Sequence, residues 1–248
     1  MRRISSPYAS SFSFGPGPLS TAMKALIGAN VLVFLAASFD PAITLRFGLV
    51  PQAVLDQYRV WQLVTYMFLH GGLFHIVFNM LALWMFGTEL ERVWGTRYFL
   101  KFYFVTGVGA ALLTVLFSLL PFGFAQYVRD SIIIGASGAV FGLMLAYALY
   151  FPNRQIYMYL VFPVPAKIFV AILGAIELFA SVSGVPGGVA NSTHLGGLLV
   201  AYLYLKSARR NPLGELKYRY LRWKINRSRK KFDVYSGGRA DDWDRRVH

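Results

Sequence analysis

The sequence predicts an all-α polytopic membrane protein with six transmembrane helices. The chain is 56% hydrophobic and only 15% charged, with a mean hydropathy of +0.49, whereas a soluble domain has about 45–50% apolar and about 25% charged residues. Apolar runs recur along it, each near the roughly 20 residues that cross hydrocarbon. Most of the charges fall in the breaks between these runs and in the two tails. There is no cysteine, which excludes disulfides and thiolate metal sites.

Residues 1–20 are rich in Ser, Pro, Gly and aromatics and carry Arg2 and Arg3. Without a helical period they read as a flexible N-terminal tail. Thr21 to Phe39 is the first span, stopped by Asp40-Pro41. It is longer than the 7–15-residue core of a signal peptide, so a retained helix is expected. Residues 41–61, with Arg46, Pro51, Asp56, Arg59 and Trp61, are too polar to span and read as a partly helical interfacial loop.

The second span is about Phe74 to Phe86, with a possible start near Leu63, and ends at Glu89, Glu91 and Arg92. The third is about Tyr98 to Leu120, stopped by Pro121, and a loop with Arg129 and Asp130 follows. The fourth is about Ile132 to Phe151, closed by Pro152-Asn153-Arg154, and the fifth is about Ala166 to Ser183. The linker Gly184-Val185-Pro186-Gly187-Gly188 leads to the sixth, about Ala190 to Leu205. The membrane domain is then 21–206, with a basic cytoplasmic tail at 207–248. From Lys206 onward there are 14 Lys/Arg against 5 Asp/Glu, so this region holds most of the net charge of +14. A polybasic segment beside an apolar domain fits anionic membrane lipids as its partner and gives no reason to expect nucleic acid.

An even number of spans puts both termini on one side. Arg2 and Arg3, Arg92 and Arg97, Arg154 and Lys167, and the C-terminal tail lie on that side; Arg46, Arg59 and Arg129 lie on the other. The positive-inside rule makes the terminal side cytoplasmic and predicts a multi-pass protein, read as one of the bacterial inner membrane.

In this orientation the second, fourth and sixth spans enter from outside. Ser137 should lie about five residues into the fourth, about 8 Å down a helix, and His194 about four residues into the sixth. His75 and Asn79 fall in the outer half of the second and, at i and i+4, share one helix face. Polar residues inside spans face the bundle interior or a water-filled cavity. Gly138, Gly142 and Ala146 form a small-residue stripe on the fourth span, and Gly197 and Ala201 lie on the His194 side of the sixth. Such stripes let transmembrane helices approach closely, which would bring the Ser137 hydroxyl within reach of His194. An imidazole can take that proton during attack on a carbonyl and return it to a leaving amine. First-turn N–H groups at Ser137 lack intrahelical partners and, with His75 and Asn79, could hold an oxyanion. No intramembrane aspartate is placed to orient His194, which predicts a dyad rather than a triad. Glu177, deep in the fifth span, is read as a hydrogen-bonded or protonated structural group.

These residues resemble the rhomboid family of intramembrane serine proteases. The resemblance rests on His70-Gly-Gly-Leu-Phe-His75-Ile-Val-Phe-Asn79, Gly135-Ala136-Ser137-Gly138 and His194-Leu-Gly-Gly197, in that order on spans two, four and six. Gly87, Glu91 and Gly95, spaced GxxxExxxG, add to it. It covers roughly Thr21 to Lys206 and implies a six-helix rhomboid core. It further implies a serine endopeptidase that cleaves transmembrane protein substrates near their outer end, without metal or cofactor. By resemblance Ser137 is the nucleophile and His194 the general base. His75, Asn79 and the Ser137 N–H form the oxyanion hole, while His70, Gly135 and Gly138 support the site. The fifth helix and the 184–189 linker would act as gate and cap. The sequence departs from the family pattern at Trp61-Gln62, where Trp-Arg is frequent, and at Phe141, where Tyr is frequent. It also departs at Thr193, where Ala is usual, and at Ala201, where a second glycine completes a GxxxG.

Each residue also has a plainer reading: Ser137 as a helix cap, and His194, His75 and Asn79 as interhelical hydrogen bonds. At the level of the whole chain the alternative is a catalytically silent, rhomboid-like binder of membrane clients; silent relatives usually lack the serine or the histidine, and both are present. A transporter using His70, His75, Glu177 and His194 would be expected to show internal repeats, and none is found. There is no HExxH zinc motif and no pair of intramembrane aspartates.

Overall fold

The computed structural model describes residues 16–158, 162–182 and 189–209, together with Tyr220 and Arg222. Contacts divide the chain into two units, Met1–Leu205 and Lys206–His248. Residues 1–15, the 184–188 linker and nearly all of the basic tail, for which a flexible arm, a cap and a cytoplasmic segment were expected, lie outside the described residues.

The first unit is mostly helical. Helix α1, Thr21–Phe39, starts at Ser20, whose hydroxyl accepts the Met23 N–H at 3.0 Å, and ends before Asp40-Pro41. Two short helices, α2 (Ala42–Phe47) and α3 (Pro51–Asp56), make up the partly helical loop. Helix α4, Gln62–Thr65, runs into a 3₁₀ turn at Tyr66–Phe68. Helix α5, Leu73–Ala82, continues through a π turn at Leu83–Gly87 into α6, Thr88–Trp94. Gly95, at φ +76°, breaks α6 from α7, Thr96–Phe117. Among the described residues, three helical stretches are long and apolar enough to cross a membrane: Thr21–Phe39, Leu73–Trp94 and Thr96–Phe117. Helices α9 (Ser137–Tyr150), α10 (Ala166–Val182) and α11 (Val189–Arg209) complete the bundle.

The structure departs from the expected elements at three places. Residues 123–130, expected as loop, form helix α8, Gly123–Asp130. Between α9 and α10, β1, Gln155–Met158, pairs antiparallel with β2, Phe162–Pro165. Most important, α9 begins at Ser137 and not near Ile132. Ile133 pairs in both directions with Leu49, at 2.8 and 2.9 Å, and the Gly135 N–H donates to the Tyr66 carbonyl at 2.9 Å. These non-local bonds hold the apolar segment Ile132–Gly135 out of the helix, and the chain turns at Ala136 to start α9.

The core lies where α7 passes α9. Phe99, Phe102, Tyr103, Met67, Leu83, Leu90 and Leu143 are fully buried there. The Tyr66 hydroxyl donates to the Gly107 carbonyl at 2.7 Å, so the 3₁₀ turn is pinned to α7 by its side chain and to Gly135, just before α9, by its carbonyl. Leu32, Phe39, Phe74, Phe78, Leu116 and Phe179 are exposed. Water would penalise so much apolar surface, whereas lipid accepts it.

At the opposite end Glu91, almost fully buried, accepts from Ser20 Oγ at 2.6 Å and from Thr96 Oγ1 at 2.7 Å. One carboxylate thus ties the starts of α1 and α7 to α6, which gives the GxxxExxxG spacing its physical role. The 41–61 loop is anchored by Gln62 where the frequent arginine is absent. Its buried side chain accepts the Val50 N–H at 3.1 Å and donates to the Arg46 carbonyl at 3.3 Å. Trp61 Nε1 donates to the same carbonyl at 3.1 Å.

Candidate active site

Ser137 is the first residue of α9, and no side chain caps that helix. The first bond of α9 runs from the Val140 N–H to the Ala136 carbonyl, so the N–H groups of Ser137, Gly138 and Ala139 have no partner one turn back. The hydroxyl therefore sits at the positive end of the helix beside unclaimed donors. Because α9 starts late, Ser137 is reached through the Leu49-bridged segment at Ile133 and the turn at Gly135–Ala136, and not through the first turns of a helix, as the sequence suggested.

His194 is in the second turn of α11. Its Nε2 lies 2.7 Å from Ser137 Oγ. One face of the imidazole is covered by Phe141, stacked at 4.4 Å between centroids and 8° between planes. Phe141 is four residues after Ser137, so one helix supplies both the hydroxyl and the plate that holds its partner. Behind the histidine, the buried Thr193 Oγ1 lies 2.9 Å from Thr114 Oγ1 on α7.

The closeness of α9 and α11 has a steric cause. A Cβ on Gly197 would collide with the Gly138 carbonyl, and one on Gly138 would lie 3.2 Å from Thr193. The expected small-residue stripe divides at this point, because Gly142 faces Thr106 of α7 and not α11.

Gly135, at φ +127°, forms one wall of the site. A Cβ there would lie 2.8 Å from His75 Nε2 and 3.3 Å from Ser137 Oγ, so the space left by its missing side chain separates those two groups. The Gly71 N–H donates to His75 Nδ1 at 3.3 Å. A neutral imidazole that accepts at Nδ1 carries its proton on Nε2, the nitrogen that faces this space. His70 is buried and meets His75 edge-on, with centroids 5.0 Å apart. Burial, and then the neighbouring His75, push the His70 imidazole down to about 4, so it is neutral near pH 7. Asn79 is buried and its Nδ2 donates to the His75 carbonyl at 2.9 Å. Since that carbonyl can only accept, the amide orientation is fixed. Asn79 is thus turned toward its own helix while His75 faces the serine.

Sequence reasoning missed a neighbour. Glu177 Oε2 of α10 lies 3.0 Å from His194 Nδ1, and both side chains are about 15% exposed. The distance is that of an ion pair, but the oxygen lies off the Nδ1–H direction, and neither atom has a hydrogen-bond partner among the described residues. A signal for this was available. Glu177 is five residues before the end of α10 at Val182, and His194 is five residues after the start of α11 at Val189. Consecutive antiparallel helices bring such positions to one level. Tyr66 and Gln62 carried no such signal, because their partners are backbone groups distant in sequence. Among the described residues no three His, Asp or Glu side chains gather to hold a metal ion.

A family model described as the Rhomboid domain matches residues 57–210. The chain is 31% identical over 180 residues to "Rhomboid protease GluP" of Bacillus subtilis, covering 70% of this chain and 32% of that protein. It is 34% identical over 141 residues to "Rhomboid protein 1, mitochondrial" of Saccharomyces cerevisiae, covering 55% and 38%. It is 32% identical over 143 residues to "RHOMBOID-like protein 1" of Arabidopsis thaliana, covering 54% and 34%. The chain thus spans well under half the length of these curated relatives.

Proposed function

The chain belongs to the rhomboid family, and from that premise we propose that it is an intramembrane serine endopeptidase acting through Ser137 and His194. The observation that carries the reading is the 2.7 Å approach of His194 Nε2 to Ser137 Oγ across two helices, under the Phe141 ring. In the proposed reaction Ser137 Oγ bonds to the scissile carbonyl carbon as its proton passes to Nε2. The carbonyl oxygen becomes an oxyanion, held by the Ser137 N–H and by His75, with Asn79 as a further donor. The C–N bond then breaks, and the Nε2 proton leaves on the amine. Water, deprotonated by the same imidazole, releases the acyl group.

The substrate class we propose is the transmembrane segment of another membrane protein, cut near its outer end. Helix α9 has 14 residues and spans about 21 Å of a hydrocarbon core about 30 Å thick. If its far end is level with the cytoplasmic interface, Ser137 sits below the outer interface, with the non-helical Ile132–Ala136 segment above it. The proposal includes six crossings, formed by α1, α5–α6, α7, α9, α10 and α11, with both termini cytoplasmic. The relatives come from a bacterium, a mitochondrion and a plant, so the compartment reading reduces to an integral membrane protein.

The test is cleavage of a generic transmembrane substrate by purified protein in liposomes, with Ser137→Ala and His194→Ala as controls. Loss of cleavage in both variants with unchanged melting supports the protease. A folded wild-type protein that neither cleaves nor labels with a fluorophosphonate would point to the silent client-binder.

A further inference from the structure

We infer that Glu177 is a positioning residue for His194, so that the site works as a Ser137–His194–Glu177 triad. This rests on the serine protease reading above.

Helix α10 is an apolar helix with one carboxylate. Its neighbours Ile172, Ile176, Leu178 and Phe179 are exposed on the surface of the bundle, and Glu177 is turned inward to within 3.0 Å of His194 Nδ1. A carboxylate in a membrane-embedded helix is expensive and is expected to face a partner or a wet cavity. The group within reach of Oε2 is the one ring nitrogen that Ser137 does not use. Gly174, one turn earlier, has Leu198 of α11 within 3.5 Å of its Cβ position, so the two helices are packed together at this level.

The imidazole is then held on three sides. Ser137 meets Nε2, Phe141 covers a ring face, and Glu177 stands at Nδ1. A neutral imidazole has two tautomers, and only the one protonated at Nδ1 leaves a lone pair on Nε2 to accept the hydroxyl proton. A negative charge 3.0 Å from Nδ1 favours the proton on that nitrogen by its field, with the oxygen still off the N–H direction at rest. When Nε2 takes the proton from Ser137, the ring becomes a cation in a region of low dielectric, and the adjacent negative charge stabilises it. The Nδ1 proton stays on the ring and the carboxylate stays ionised, so no further proton moves.

The experiment compares kcat, KM and melting temperature of the full chain in liposomes for wild type, Glu177→Gln and Glu177→Asp, beside Ser137→Ala and His194→Ala. Glu177→Gln should lower kcat by about tenfold or more, with KM and melting temperature nearly unchanged, and Glu177→Asp should recover part of the loss. The 15N spectrum of the wild-type His194 ring should show Nδ1 protonated and Nε2 bare at rest, a readout independent of how well any variant folds. If Ser137→Ala and His194→Ala are inactive while Glu177→Gln keeps its kcat, this inference fails and the dyad stands. An Nε2-protonated resting ring overturns it as well. If Ser137→Ala or His194→Ala cleaves like wild type, the protease reading and this inference fall together.

Discussion

Gly197 of α11 rests directly on the carbonyl of Gly138 of α9, with no room for even a methyl group between them. This contact lies one turn beyond His194 on one helix and one residue beyond Ser137 on the other, so the helix separation and the Ser137–His194 distance are set together. Gly197→Ala should push the helices apart. Overpacking of this kind costs about 1–3 kcal/mol, and cleavage should fall further than stability because the 2.7 Å contact has little tolerance. Thermal melting and a cleavage assay on the same preparation test this; full activity in Gly197→Ala would show that the site does not depend on that spacing.

The oxygen pair Thr114–Thr193 braces α11 from behind the histidine at 2.9 Å. Thr114→Val and Thr193→Val, with the double variant, form a cycle whose coupling should resemble other interhelical hydrogen bonds in membranes, about 0.6 kcal/mol and at most about 1.7 kcal/mol. Chemical or thermal unfolding in detergent measures it. A coupling indistinguishable from zero would mean that each hydroxyl is satisfied equally well by its own helix, as Thr114 is in part by the Ala110 carbonyl.

Gln62→Leu should loosen the 41–61 loop. The substitution keeps much of the volume but leaves the Val50 N–H and Arg46 carbonyl without that side chain. Such a loss costs about 1–3 kcal/mol when the groups stay buried. Limited proteolysis between Arg46 and Arg59 should become faster while the serine-directed probe still labels Ser137. Unchanged proteolysis would assign the anchoring to Trp61 and Thr65, which also bond to the loop backbone.

What the sequence revealed and what it concealed divide along the range of the interactions. The first span reads correctly to both ends because what bounds it is local: Asp40-Pro41 stops it in the sequence, and the structure adds Ser20 as its cap. Ile132–Ala136 reads as the start of a helix because it is apolar and continuous with one. It stays out of the helix because Leu49 claims the backbone of Ile133 and Tyr66 that of Gly135, both from far away in sequence. The paired strands Gln155–Met158 and Phe162–Pro165 are too short, and the second too interrupted by Pro163 and Pro165, to show alternation. Ser137, His194 and His75 are legible because chemistry-bearing side chains are scarce in apolar spans. Glu177 is equally conspicuous, but its partner appears only when α10 and α11 are laid antiparallel and the distances from their shared linker are compared. The pinning of the site by Tyr66 follows from a carbonyl and a hydroxyl that no pattern singles out.

Gly135→Ala should abolish most activity for two separable reasons. Its φ of +127° is a conformation L-residues resist, at a cost of about 1–3 kcal/mol. The new methyl would also fill the space between His75 Nε2 and Ser137 Oγ. Melting reads the first effect and kcat the second. If kcat falls only in proportion to the folded fraction, that space is not where substrate reacts.

His75→Ala and Asn79→Ala should differ, although both residues were assigned to the oxyanion hole. His75 accepts from the Gly71 N–H through Nδ1 and so presents Nε2–H toward the serine. Asn79 directs its amide at the carbonyl of its own helix. Losing an oxyanion donor costs about 10²–10³ in kcat in a serine protease, and that loss is expected for His75→Ala, with KM little changed because the charge develops only in the transition state. Asn79→Ala should cost less in kcat and more in stability, since it removes a buried amide bonded to α5. Steady-state kinetics with parallel melting curves separate the two. Equal losses of kcat at equal stability would mean that the Asn79 amide turns toward the substrate during the reaction, and the resting orientation would then be a poor guide to that residue's role.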